Sequence, residues 1–160
     1  DKGTSEVVNY IKVSDQKTFS VQRADQYLNA KKSIFNKIVG DSHFELLFAG
    51  FLDAATDVNK FIKNYLQLNF KITYINHEGG ISNYYPDFVI HLNNDTRYIV
   101  ETKGLENIED SRKIESLKVW CEDATKATGK EYRHLYVKQE KWDKLGKIPN
   151  SFEEIISTFK

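Results

Sequence analysis

Two short stretches carry the side chains best suited to chemistry. One is Tyr84-Tyr85-Pro86-Asp87-Phe88-Val89-Ile90 and the other Tyr98-Ile99-Val100-Glu101-Thr102-Lys103-Gly104. Both are rich in aromatic and β-branched residues, so both read as strands. The turn formers Asn93-Asn94-Asp95-Thr96 lie between them, which predicts an antiparallel hairpin. Side chains alternate across a strand, so Asp87, Val89 and His91 share a face, as do Ile99, Glu101 and Lys103. A register that sets Asp87 beside Glu101 and Lys103 brings two carboxylates and an ammonium to one end of the strand pair. Neighbouring carboxylates repel unless a cation lies between them. Mg²⁺ suits such a pair, because it is held by one or two carboxylates, waters and phosphate oxygens. A lysine beside it can orient or deprotonate a water, or stabilise charge building up on phosphorus. The chemistry that follows is hydrolysis of a phosphodiester.

The pattern Pro86-Asp87 followed by Glu101-x-Lys103 resembles the PD-(D/E)xK signature of the restriction-endonuclease-like superfamily. The wider run Asn64, Phe70-x-Ile72-x-Tyr74, Tyr85-Pro86-Asp87-Phe88 and Val100-Glu101-Thr102-Lys103-Gly104, with Phe44-Glu45 upstream, resembles the C-terminal nuclease domain of type III restriction subunits over residues 41 to 137. The resemblance implies a mixed sheet with helices on both faces in αβββαβ order. It implies Asp87, Glu101 and Lys103 as catalytic residues. Asp87, Glu101, the Thr102 carbonyl and Glu45 would be the metal ligands, with Mg²⁺ as cofactor and Mn²⁺ able to replace it. It further implies double-stranded DNA as substrate, a helicase-like ATPase region in the same longer polypeptide, and a methylation and recognition subunit as partner. ATP would act only through those other regions, since no G-x-x-x-x-G-K-[ST] loop is present here. A nuclease domain of another restriction or repair system fits the same signature. So does a degenerate nuclease fold that only holds DNA or a partner, although the Asp/Glu/Lys set is intact. On the bare residues, Asp87 can instead be a strand-opening residue and Glu101 and Lys103 a solvated pair.

The elements that must position these residues are read from periodicity. Residues 1–40 read as an N-terminal arm and helix belonging to the same domain, and 41–160 as the nuclease domain. Val7 to Val13 suggests an edge strand or an extended arm. Ala24, Tyr27, Leu28, Ile34, Phe35 and Ile38 recur at helical spacing, predicting a helix over 24–39 ended by Gly40. A second helix begins at Asp41-Ser42. In it Ser42-x-x-Glu45 is a capping-box pattern, so Glu45 either caps its own helix or reaches the metal. Residues 57–64 read as a short helix stopped at Asn64. The strict alternation of Phe70, Ile72 and Tyr74 predicts the first core strand, and His77-Glu78-Gly79-Gly80 the turn that follows it. A long helix is expected over 108–127, a strand parallel to the Glu101 strand over 131–137, and short helices over 139–145 and 151–159. Trp142 is expected to pack against the sheet. Arg112 and Lys113, early in the long helix, are candidates for phosphate contact. A face that mixes them with Glu109 and Glu115 is more ordinarily solvated and ion-paired.

Composition limits the rest. With 160 residues, 40% of them hydrophobic, the chain suits one domain with a real core. It opens on Asp1 and contains no methionine, which suggests a piece of a longer polypeptide. No apolar run is long enough to span a membrane, no secretory h-region stands at the start, and the single cysteine, Cys121, forms no internal disulfide. These point to the cytoplasm, and the resemblance to a prokaryotic one. The four histidines are scattered without zinc-ligand spacing. Lys and Arg number 23, as do Asp and Glu. Zero net charge argues against tight autonomous DNA binding, so other domains would have to hold the duplex.

Overall fold

The computed structural model describes residues 6, 7, 9–16 and 27–160. It is an α/β domain whose main sheet has four strands, with helices on both faces.

The first ordered pair is β1 (Tyr27–Asn29) against β2 (Lys37–Val39). This corrects the helix expected over 24–39, of which 24–26 lie outside the described residues. Each strand has only three residues, too few to display an alternation. Tertiary bonds fix the segment instead. Ile34 donates its amide to the Phe61 carbonyl, Phe61 donates to Lys32, and the Asp53 carboxylate accepts the amides of Lys31 and Lys32. Toward the N-terminus no strand occurs among the described residues, only a single 3₁₀ turn at Val13–Asp15.

Helix α1 (His43–Ala54) starts as its sequence predicts. The Ser42 hydroxyl accepts the Glu45 amide at 3.2 Å, and Glu45 Oε2 accepts the Asp41 amide at 3.1 Å. Its apolar face buries Phe44, Phe48, Phe51 and Leu52.

Strand β3 (Val58–Lys63) replaces the helix expected at 57–64. A register shift between Val58 and Lys60 breaks its alternation, so buried Val58, Phe61 and Ile62 fall at helix-like intervals. β3 is the first core strand. The alternating segment around Phe70 forms β4 (Ile72–Ile75), which pairs with β5 (Ile81–Tyr84) in a separate two-stranded sheet. Alternation identified that strand correctly but could not say which sheet it joins.

The run around Asp87 is divided. Tyr84 closes β5, Pro86 has no amide to continue a ladder, and β6 (Phe88–Leu92) begins after Asp87. Strand β7 (Arg97–Lys103) pairs antiparallel with β6, Phe88 opposite Val100 and Val89 opposite Ile99. The turn between them carries Asp95 at φ 68°. Helix α2 (Asp110–Thr128) ends at Gly129 with φ 69° and leads to β8 (Tyr132–Lys138), parallel to β7. Helices α3 (Gln139–Asp143) and α4 (Phe152–Phe159) complete the chain. The main sheet is therefore ordered β3-β6-β7-β8. With the β4–β5 hairpin set aside, the core follows the expected αβββαβ order.

Two cores flank the sheet. On one face α1, α3 and α4 enclose Phe48, Phe88, Ile90, Val100, Trp142 and Phe152. Trp142 meets Phe44, Phe48 and Phe51 edge-on, so it packs chiefly on α1. On the other face α2 and the β4–β5 hairpin enclose Ile72, Tyr84, Ile99, Leu117 and Cys121. No helix among the described residues is long and apolar enough to cross a membrane.

Candidate active site

The β6–β7 register ends with Phe88 opposite Val100, which brings Asp87, the residue before β6, to the level of Glu101. Three features hold Asp87 in place. Its carbonyl accepts the Asn64 amide at 2.7 Å at the end of β3. The Asn64 side-chain amide donates to the carbonyls of Pro86 (2.9 Å) and Phe70 (2.8 Å), tying β3, β4 and the Pro-Asp corner together. The Asp87 Oδ2 accepts both the Thr102 amide (2.8 Å) and the Thr102 hydroxyl (2.6 Å). Thr102 points to the face opposite Glu101 and Lys103. The Asp87 carboxylate is thus anchored to the residue between Glu101 and Lys103, near enough to repel Glu101.

Glu101 is held by a residue that its spacing does not reveal. Tyr84, buried at the end of β5, donates its hydroxyl to Glu101 Oε2 at 3.0 Å. Burial, then repulsion from Asp87, pushes the Glu101 carboxyl up to about 8, while Tyr84, Lys103 and Lys113 pull it partly back. Asp87 is raised too, first by burial and further by Glu45, against the pull of Lys63 and Thr102. Two neighbouring carboxylates that both resist ionisation, with Lys63, Lys103 and Lys113 already acting on them, are a pair whose burial is not fully compensated.

Lys103 Nζ lies 3.2 Å from Asp110 Oδ1. The buried Asp110 opens α2, and its second oxygen accepts the Asn107 amide at 2.6 Å. The helix start therefore does lie at the strand end bearing Lys103. Of the two basic candidates on α2, Lys113 comes to the site, its Nζ 5.9 Å from the centre of the Tyr84 ring and close enough to act on Glu101. Arg112 is exposed. Glu45 does cap its helix, and its Oε2 also lies 2.6 Å from the ammonium of Lys63. His77 contacts Glu109.

Sequence reasoning missed Tyr84, Lys63, Asp110 and Tyr136. Tyr136 stands beside Glu101 in the β7–β8 register, and its buried hydroxyl has no hydrogen-bond partner. Burial, with Asp110, Glu106 and Glu101 nearby, raises its pKa. The one signal available was the polar residue Lys63 beside Asn64 in an apolar run. The others are brought in by packing alone.

Among the described residues no three His, Cys, Asp or Glu side chains gather closely enough to hold a metal by themselves. Two carboxylates that disfavour joint ionisation do fit a hard divalent cation whose other positions are filled by water and phosphate oxygens. Cavities of about 350 and 400 Å³ lie elsewhere, and neither is lined by Asp87, Glu101 or Lys103.

A family model described as an endonuclease domain matches residues 31–142, more than two thirds of the chain. The chain belongs to the endonuclease-domain family. The match spans α1 through Trp142 and so contains the whole αβββαβ core, with Asp87, Glu101 and Lys103 inside it. Neither the curated proteins nor the solved structures yield a match to this endonuclease domain.

Proposed function

We propose that this endonuclease domain is the cleavage module of a type III restriction-type enzyme and hydrolyses phosphodiester bonds of double-stranded DNA with a divalent metal, Mg²⁺ or in its place Mn²⁺. The observation that carries the reading is the close approach of Asp87 and Glu101, both raised first by burial and Glu101 next by Asp87, with Lys103 two residues along the strand. Asp87, Glu101 and the Thr102 carbonyl would hold the metal, which when bound polarises a phosphoryl oxygen and lowers the pKa of a bound water.

The chain's own residues do the rest. Thr102 fixes one Asp87 oxygen and Tyr84 one Glu101 oxygen, so each carboxylate is presented in a single orientation. The ion pair with Asp110 holds Lys103 in place. That favours a role as a positioned donor, which orients the attacking water and stabilises charge on the phosphorus oxygens. Lys113, beside Tyr84, adds positive potential where a phosphate would approach. With zero net charge, the domain relies on a motor region of the same polypeptide and on a recognition subunit to keep the duplex in place.

The test is calorimetric titration with Mn²⁺ together with single-turnover cleavage in the full assembly. Asp87→Asn and Glu101→Gln should each abolish metal-dependent cleavage and leave the fold intact. Unchanged Mn²⁺ binding by the double variant would refute the ligand assignment.

A further inference from the structure

Lys63 is the most deeply buried charge in the described structure, its side chain 2% exposed. Burying an ammonium is expensive unless it is paired, and this one is paired heavily. Its Nζ lies 2.6 Å from Glu45 Oε2 and 3.3 Å from Asp41 Oδ2, and it sits within 6 Å of the Tyr65 and Phe88 ring centres. Burial pulls its pKa down, but Glu45, Asp87 and Asp41 outweigh that, leaving it raised and the ammonium charged. Lys63 is also the residue before Asn64, which bolts β3 to the Pro86-Asp87 corner. It is thus built into the same junction as Asp87.

Glu45 is correspondingly committed. Oε2 takes the Asp41 amide and the Lys63 ammonium, and Oε1 lies 3.4 Å from the Ser42 hydroxyl. Charge balance gives this arrangement a consequence. Asp41, Glu45, Asp87 and Glu101 are four carboxylates against the two ammoniums of Lys63 and Lys113, and Lys103 is matched separately by Asp110. One divalent ion neutralises what remains. A second divalent ion would leave the site with excess positive charge beside a buried ammonium that cannot leave.

Building on the metal-dependent reading above, we propose that Lys63 is a fixed internal cation that keeps Glu45 out of metal coordination and limits the site to a single divalent ion held by Asp87 and Glu101. Lys63 is a positioning residue: it acts through Glu45 and Asp87 and touches no reacting atom.

The experiment counts Mn²⁺ ions by calorimetry, and by the paramagnetic coupling of a Mn²⁺ pair, in this chain and its variants. The unaltered chain should bind one ion. Lys63→Met, similar in length but uncharged, should bind two as a coupled pair, with the first ion tighter by on the order of tenfold or more. Lys63→Arg should bind one. The double variant with Lys63→Met and Glu45→Gln removes both buried charges of the pair, leaves only the solvent-exposed Asp41 carboxylate without its partner, and guards against misfolding of the single one. It should bind one ion again, because Glu45 is then neither freed nor needed. Two ions in the unaltered chain, one ion at unchanged affinity in Lys63→Met, or loss of the ion in the double variant would each overturn the role of Lys63 and leave the metal reading standing. No ion in any of the chains would overturn both.

Discussion

Replacing Glu101 by Gln should make the metal-free domain more stable at neutral and alkaline pH and should flatten its pH dependence. Glu101 has a folded-state pKa of about 8 against an ordinary 4.5. The folded state therefore holds a proton that the unfolded chain has already released. Stability from that proton is fully present below about pH 4.5 and is lost as pH rises through about 8. Between pH 6.5 and 8 the loss is about 2 kcal/mol, at 1.36 kcal/mol per unit. For a chain of this size that is about 4–8 °C in Tm. This window isolates the pair. Asp95, Glu109, Glu131 and Glu140 are lowered and act at lower pH. His134 is lowered as well, and its effect falls chiefly below about pH 6.5. Asp87 is raised and acts in the same direction as Glu101. The assay is thermal melting in EDTA at several pH values across the window. Parent Tm should fall with pH, while Glu101→Gln should hold nearly level, since an amide still accepts the Tyr84 hydroxyl and no longer repels Asp87. Adding Mn²⁺ should restore the parent at pH 8 and leave the variant unmoved. A variant that retained the parental slope would refute the claim that Glu101 holds a proton in the metal-free fold.

Three further outcomes are expected. Lys103→Ala should keep Mn²⁺ affinity but lose roughly a hundred- to thousand-fold in single-turnover cleavage; Lys103→Arg should not rescue it, because a guanidinium is bulkier and differently shaped. Near-normal cleavage by the alanine variant would make Lys103 a mere surface charge. Asn64→Ala leaves the Pro86 and Phe70 carbonyls without their donor and should destabilise the domain by about 2–4 kcal/mol in urea unfolding; a loss below half a kcal/mol would show that the corner holds itself. Lys113→Ala should carry the fall in melting temperature to higher pH by removing a charge that stabilises ionised Glu101, whereas Arg112→Ala should leave the curve unchanged.

The sequence alone determined the hairpin of β6 and β7, the parallel return of β8 after α2, and the convergence of Asp87, Glu101 and Lys103. Those features rest on local signals: β-branched runs, turn residues and the two-residue period, all of which act within a few residues. The capping of α1 was legible for the same reason, since Ser42 and Glu45 are three apart. Only tertiary structure decided that residues 58–63 form a strand. A bulge erased the alternation there, and pairing with β6 supplied the hydrogen bonds that a helix would have supplied itself. Tertiary structure likewise decided that the alternating segment of β4 leaves the main sheet to pack on α2, because alternation says that one face is buried but not against what. The surroundings of the site were the least legible part. Tyr84 comes to Glu101 from 17 residues away, Lys63 to Glu45 from 18, and Asp110 to Lys103 across the β7–α2 turn. The sequence displays which groups can ionise. Which of them are taken out of water together, and so forced to share protons or a cation, depends on packing between elements distant along the chain.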